Sequence, residues 1–337
     1  MLRFAVRRLL LLVPILVGLS ILVFLFVRAL PGGPETALLG ENATPQRTAQ
    51  VREAYGLDRP LPEQYLRYVG QAVQLDFGTS TRYRTPVVDE IQRRFPATIE
   101  LGVSAMAFAV GVGVPLGFVA ARRRGTWIDN LSTAGSLLGI AIPVFVLGFL
   151  LKAVFAVELG WLPVAGRQDQ QQFFGADHPT GFFVLDGLLT GDLPAAWDAA
   201  KHLVLPAIAL GTIPLAFITR ITRAAVLEVV EADFVRTAEA KGMTRRVVTR
   251  RHVLRNAMLP VITIIGLQTG LLLSGAILTE NVFAIQGMGQ LMAGAIADRD
   301  YAVLQGGILF LAVVFVLVNL LVDLSYGLFD PRVRESG

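Results

Sequence analysis

Six long apolar segments constrain the fold of this chain more than any other feature. They cover residues 9–30, 97–121, 131–157, 203–221, 258–278 and 302–328. A helix crosses the hydrocarbon core of a bilayer with about 20 predominantly apolar residues, and each segment meets that length. We therefore predict an all-α integral membrane protein with six transmembrane helices.

Composition agrees with this class and excludes several others. The chain is 54% hydrophobic and only 17% charged, which is too apolar for a soluble globular domain. It has no cysteine, and its three histidines, at 178, 202 and 252, lack the spacing of metal ligands, so no metal site is expected. Basic residues stand in clusters without the interleaved aromatics that stack on bases, so no nucleic-acid partner is expected either.

The distribution of arginine and lysine predicts the orientation. Placing both termini, the cluster Arg122 to Arg124 and the segment 220–255 inside collects 17 of the 30 basic residues. Short cytoplasmic stretches are enriched in such residues, whereas long outer loops are nearly exempt from the rule. Both termini are therefore predicted to be cytoplasmic, with multiple passes through the membrane.

The same pattern predicts the layout along the chain. Residues 1–30 form the first transmembrane helix, retained as an anchor because its apolar run is too long for a signal peptide. Residues 31–96 alternate turn signals with amphipathic pieces at 64–75 and 87–95, which indicates a folded extracytoplasmic cap loop. The remaining ranges are a five-helix core at 97–328, its outer loops at 158–200 and 280–301, its cytoplasmic segment at 222–257, and a cytoplasmic tail at 329–337.

The cytoplasmic segment contains a predicted helix, break and helix between residues 233 and 260. Asp233 can cap a first short helix, and Gly242 supplies the left-handed residue that ends it. Thr244 can cap a second helix running through Arg255. A topological anchor would explain the arginines that follow but not the small, semi-polar first helix, whose shape suits another protein's groove.

Polar residues within apolar segments are candidates for function because their burial in lipid is costly. Lys152 lies near enough to the outer end of the third segment to extend toward water. Asn319 and Asp323 stand four apart on one face of the last helix. We interpret them as a structural intramembrane pair in preference to a proton relay.

Motifs for chemistry are absent from the sequence. There is no GxxxxGK(S/T) loop to hold nucleotide phosphates, so any ATPase that drives this chain must be another subunit. No HExxH or GxSxG motif supports hydrolysis, so we predict no catalytic residue and no enzyme. His202 with Asp198 suggests a base and its orienting group, but at the end of a helix interfacial anchoring is the better interpretation.

Three separated regions carry a resemblance to a known family. They are LPGGP with GLDRPLPEQYLRYVGQAVQLDFGTS and RRFPATIEL, then FVRTAEAKGMTRRVVTRRHVLRNAMLP, and finally GAILTENVFAIQGMGQLMAGAIADRDYAVLQGG with NLLVDLSYGLFDPRVR. In this order they resemble the membrane permease subunit of dipeptide, oligopeptide and nickel ATP-binding-cassette importers, specifically the subunit with a long first outer loop. The resemblance implies the type I ABC importer permease fold.

The middle region is similar to the coupling motif of these importers. The matching residues, implied to contact an ATPase, are Phe234, Arg236, Thr237, Ala238, Glu239, Ala240, Lys241 and Gly242. Only Ala238 and Gly242 fit the general EAA motif, which aligns with residues 236–238 and 242, whereas the peptide branch has RTAxAKG as here. Arg255 stands where the general motif has proline, and Phe77 and Gln286 depart from the branch in local loop positions. We predict that Phe234 and Ala238, one turn apart, face the ATPase groove.

The resemblance also implies a location in the inner membrane of a prokaryotic cell, a set of partners and a transported solute. The partners are a homologous second permease, two ATP-binding cassette subunits or one fused pair, an extracytoplasmic solute-binding protein, and membrane lipid. ATP and magnesium would bind in the ATPase subunits, with no cofactor in this chain. Di- or oligopeptides are the expected solutes, nickel or another small solute is the alternative, and composition alone leaves open a secondary transporter or channel.

Overall fold

The computed structural model describes residues 2–29, 44, 46, 49, 52 and 58–329, without the side chains of residues 2–9, 273–275 and 323–329. All regular structure in this part of the chain is helical, and one isolated antiparallel bridge joins Thr79 to Pro86. The helices are α1 (Leu2–Ala29), α2 (Leu61–Val73), α3 (Val87–Arg122), α4 (Trp127–Ala141), α5 (Val144–Leu151), α6 (Phe183–Thr190), α7 (Leu193–Val230), α8 (Asp233–Ala240), α9 (Arg245–Val247), α10 (Arg255–Val282), α11 (Met288–Ala297) and α12 (Tyr301–Phe329).

Among the described residues, five helical stretches are long and apolar enough to cross a membrane. They lie in α1, α3, α7, the run from α9 into α10, and α12. The spans predicted at 97–121, 203–221, 258–278 and 302–328 fall within α3, α7, α10 and α12, and the span predicted at 9–30 matches α1 as far as Ala29. Helix α3 extends well beyond its apolar residues, because it begins at Val87. The amphipathic piece at 87–95, which was predicted to belong to the cap loop, is therefore the first part of α3.

The third predicted span, 131–157, is not one straight helix. It consists of α4, α5 and a π-helical turn, Lys152–Glu158, with a bend of 105° between its two halves. Proline at 143 disfavours helical geometry in the residue before it, and Ile142 is accordingly extended at φ −85° and ψ 122°. The third predicted span is therefore a pair of helices joined at a sharp bend, and the pair can be counted as a sixth span.

Residues 97–285 and 318–329 belong to a compact unit in which helices approach closely. A Cβ added at Gly117 on α3 would meet the carbonyl oxygen of Thr219 on α7, and one at Gly211 would lie 2.6 Å from the carbonyl oxygen of Ala105. Small residues let helices in lipid pack at such short distances. A bidentate ion pair adds to this packing, because Arg223 on α7 donates to both carboxylate oxygens of Asp129 on α4, at 2.5 and 2.8 Å.

Residues 2–96 and 286–317 contain the second compact unit. Its buried cluster includes Val27, Val87, Ile91, Met288 and Leu304. Within the predicted cap loop, the Ser80 hydroxyl donates to the Asp300 carboxylate at 2.6 Å. The described part of the loop therefore has tertiary contacts of its own, while residues 31–43 lie outside the described residues and the predicted domain boundaries remain predictions.

Candidate functional site

The predicted coupling helix is α8, and its ends show how its sequence forms it. Ala232 occupies the N-cap position and Asp233 is the first helical residue, so the prediction that the Asp233 side chain caps the helix is wrong. The Asp233 carboxylate in the first turn still stabilises the helix, because it lies at the positive end of the helix dipole. At the other end Gly242 has φ +74°, which confirms the predicted left-handed residue, and its N–H donates to the Glu239 carbonyl at 2.9 Å.

One face of α8 is buried within the chain itself. Val235 and Ala238 are only 3% and 4% exposed. They belong to a cluster with residues from the ends of neighbouring helices, namely Ala121, Ala225, Val226, Val248, Val253 and Ala257. The prediction that Ala238 faces a partner is therefore wrong, because the apolar stripe follows the i, i+3 spacing of 235 and 238.

The opposite face of α8 is open to solvent. Phe234 is 44% exposed, which is unusual for an aromatic side chain on an otherwise polar short helix. The other exposed residues of the motif are Arg236, Thr237, Glu239, Ala240, Lys241 and Gly242. Of the predicted coupling residues, all except Ala238 are thus accessible to a partner. Their contact with an ATPase remains a prediction.

The second helix of the segment is not the short element that the sequence suggested. Thr244 takes the N-cap position of α9 without a side-chain hydrogen bond. From Arg245 the chain continues through the π-helical segment Val248–Leu254 directly into α10, and Pro260 does not interrupt it. The basic stretch is therefore a helical extension of the fifth span.

The polar residues singled out within the spans have different outcomes. Lys152 donates to the Val282 carbonyl oxygen at 3.2 Å, and so lies against the end of α10. Asn319 is half-buried on α12, whereas the side chain of Asp323 lies outside the described residues, so the pair remains a prediction. Asp198 accepts from the Asp169 backbone N–H at 2.8 Å and lies 3.4 Å from the His202 ring, which supports an anchoring role.

The second outer loop contains a polar network that the sequence did not reveal. Arg167 donates to the Glu100 carboxylate at 2.7 Å, and both side chains are 9% exposed. The Arg167 guanidinium also lies 3.8 Å from the ring centroid of Phe183, on which His178 stacks. Arg167 and Glu100 are far apart in sequence, so their pairing could not be predicted. The only signal was that both are charged residues within a predominantly apolar chain. The loop is therefore held firmly by the core.

Comparison with known proteins identifies the kind of molecule to which this arrangement belongs. Residues 113–335 match the family described as "Binding-protein-dependent transport system inner membrane component", and residues 1–102 match the N-terminal family of such membrane components. The described residues contain no group of three side chains of the kinds that hold a metal ion.

Relatives of known function match over the full length. The dipeptide transport system permease protein DppB of Alkalihalophilus pseudofirmus is 46% identical, covering 99% of this chain and 100% of that protein. Its Escherichia coli counterpart is also 46% identical, with 100% of both chains covered. The glutathione transport system permease protein GsiC of E. coli is 41% identical, with 99% of both covered.

A solved structure shows the fold. The MetNI methionine ABC transporter, in inward-facing conformations, matches 69% of this chain and 93% of its own chain with a TM-score of 0.51. At 17% identity this likeness concerns the fold alone. The chain therefore belongs to the family of binding-protein-dependent inner membrane transport components, the permease subunits of ATP-binding-cassette importers.

Proposed function

We propose that this chain forms half of the path by which an ATP-driven importer carries di- or oligopeptides into the cell. The observation that carries the proposal is the full-length identity of 46% to permeases named for dipeptides. A relative named for glutathione, itself a tripeptide, extends the range to short peptides in general. Its partners are a homologous second permease, two ATP-binding cassette subunits or one fused pair, and an extracytoplasmic solute-binding protein, with ATP and magnesium bound by the cassette subunits.

The geometry of α8 supports a role in coupling. Its buried face packs against residues of α7 and of the run that leads into α10. A displacement of α8 is therefore transmitted to two membrane-spanning helices. Its exposed face presents Phe234, and aromatic side chains are frequent anchors in partner pockets. Closure of the ATPase subunits on ATP then shifts the spans between inward-open and outward-open states, a population shift driven by differential binding.

Uptake into proteoliposomes tests the proposal. The chain is reconstituted with its permease, ATPase and solute-binding partners, and uptake of a radiolabelled dipeptide is measured with and without internal ATP. We expect uptake that requires ATP, is blocked by vanadate and is competed by tripeptides. Uptake of Ni²⁺ with no peptide competition would contradict the peptide assignment, and vanadate-insensitive uptake driven by an ion gradient would contradict the ATP-driven mechanism.

A further inference from the structure

We propose that four arginines at the ends of two membrane helices bind the phosphate of an anionic phospholipid from the cytoplasmic leaflet. Arg122 ends α3, and Arg245, Arg246 and Arg250 lie at the start of the run into α10. Together with Thr249 they line an open cavity of about 250 Å³, which we call the arginine cradle. This proposal concerns lipid and does not depend on the identity of the solute.

The packing of the two helices holds the cradle together. Ala121, which precedes Arg122, and Val248, which lies between the cradle residues of the second helix, are both buried in one apolar cluster. The guanidinium of Arg122 lies 5.7 Å from the ring centroid of Phe118, one turn earlier on α3. Apolar packing between the two helices thus brings four like charges to one cavity, and the Phe118 ring lies against one of them.

Nearby acidic groups do not neutralise the cradle. Within the described residues, no carboxylate lies within ion-pair distance of its four arginines. Two neighbouring arginines outside it are paired, since Arg124 lies 3.1 Å from Glu231 and Arg223 lies 2.5 Å from Asp129. Concentrated positive charge of this kind attracts an anion from its surroundings.

The chemistry of the cradle suits a phosphate at the membrane surface. The planar guanidinium donates two parallel hydrogen bonds to phosphate oxygens, which lysine cannot do, and Thr249 adds a hydroxyl. Exposed apolar side chains on the same two helices, Val119 at 40% and Val247 at 42%, offer a surface for acyl chains. Basic pockets between transmembrane helices on the cytoplasmic side are typical sites for anionic headgroups.

The position on a spanning helix favours lipid over the ATPase subunits as the occupant. Arg122 is the last residue of α3, whose apolar window crosses the membrane, so it lies where headgroups are expected. The exposed face of α8, by contrast, presents the aromatic side chain of Phe234, a residue type that is enriched at protein interfaces.

Native mass spectrometry of the whole purified transporter tests this inference by titration with phosphatidylglycerol. The cradle variant carries Arg245→Gln, Arg246→Gln and Arg250→Gln. Its matched control carries Arg123→Gln, Arg251→Gln and Arg255→Gln, the same loss of charge at exposed positions outside the cradle. Phosphatidylcholine and inorganic phosphate serve as the zwitterionic and free-phosphate probes.

We expect the dissociation constant for phosphatidylglycerol to rise at least about tenfold in the cradle variant and less than about threefold in the control. Phosphatidylcholine should bind equally to all three proteins. An equal loss in both variants would overturn the site, because it would reduce the effect to general charge. Displacement of the lipid by millimolar inorganic phosphate would assign the cradle to a small free anion instead.

The subunit composition in the same spectra separates lipid from protein as the occupant. If the cradle variant loses the ATPase subunits while its phosphatidylglycerol affinity is unchanged, the cradle is part of the ATPase interface and the inference is overturned. If the triple variant does not fold, Arg122→Gln provides the second test from the other helix. It should weaken phosphatidylglycerol binding while Arg123→Gln does not.

Discussion

A single glycine at the end of the coupling helix determines how α8 connects to the fifth span. Gly242 has φ +74°, and a Cβ added there would meet nothing within 4 Å. A side chain at Gly242 is therefore opposed only by backbone strain and not by steric contact. The left-handed conformation costs an ordinary residue about 1–2 kcal/mol and costs a β-branched residue more. We predict that Gly242→Val leaves the complex assembled and ATP bound but reduces peptide uptake into proteoliposomes at least about tenfold.

Two controls separate this effect from strain in general. Asparagine tolerates the left-handed region, so Gly242→Asn should retain most of the uptake. Gly125, in the loop after α3, has φ +78° and equally open surroundings, so Gly125→Val carries the same strain away from the coupling helix. Normal uptake by Gly242→Val, or an equal loss in Gly125→Val, would contradict the prediction.

The exposed aromatic of α8 leads to a second prediction at the same scale. Phe234→Ala removes an exposed ring without opening a cavity in the chain, so thermal stability should not change. Removal of an aromatic anchor from an interface typically costs more than about 1 kcal/mol, and we expect ATPase subunits to bind at least about fivefold more weakly. Met243→Ala, at 41% exposure just beyond the helix, is the matched control for a pull-down titration. Equal affinities of the two variants would argue against Phe234 as an anchor.

The sequence predicted the coupling helix and its glycine but assigned its faces incorrectly. Gly242 was identifiable because only a few residues adopt the left-handed conformation, so its type reports its geometry. The inward face was not identifiable from the sequence, because two pairs of residues on α8 each have the spacing of a helical face. Phe234 and Ala238 stand at i, i+4, and Val235 and Ala238 stand at i, i+3. Which stripe is covered depends on α7 and α10, and this information is not local.

At the scale of elements, the spans in the first compact unit depend on small residues where two helices meet. A Cβ at Gly117 would meet the Thr219 carbonyl oxygen and lie 2.8 Å from the Thr222 Cβ, so α3 and α7 would have to separate. We predict that Gly117→Leu destabilises the protein by about 1–3 kcal/mol or more, measured as earlier thermal unfolding in detergent. Gly111→Leu, on the same helix but with nothing within 4 Å, should unfold like the wild type. Similar losses in both variants would contradict the packing explanation, because leucine has a higher helix propensity than glycine and cannot destabilise either helix through propensity.

Helix ends and breaks were the least predictable part of the elements. The fourth span was predicted at 203–221, but α7 runs from Leu193 to Val230 because helical structure continues through polar residues beyond the apolar stretch. Hydropathy reports where a helix meets lipid and not where its hydrogen bonds end. The bend at Pro143 could not be assigned from the sequence, although proline is the local signal, because many transmembrane helices contain proline without breaking, as α7 does at Pro206 and Pro214.

At the scale of the whole molecule, the number of spans depends on the bent third element. In the part of the chain that the structure describes, five helical stretches are long and apolar enough to cross a membrane. The bent pair of α4 and α5, with its π-helical turn, is either a broken span or a re-entrant loop. A broken span places residues before α4 and after the π-helical turn on opposite sides of the membrane. A re-entrant loop places them on the same side, and the predicted orientation of every later segment would then reverse.

Cysteine accessibility distinguishes these topologies, and the chain is well suited to it because it contains no native cysteine. Thr126→Cys lies just before α4, and Glu158→Cys ends the π-helical turn; both positions are exposed. We predict that a membrane-impermeant maleimide applied to spheroplasts labels Glu158→Cys but not Thr126→Cys, and that permeabilisation makes both reactive. Arg123→Cys and Gly160→Cys, nearby and on the same predicted sides, serve as replicate positions. If Thr126→Cys and Glu158→Cys are instead accessible from the same side of the membrane, the bent pair is a re-entrant loop. The chain then has five spans, and its two termini lie on opposite sides of the membrane.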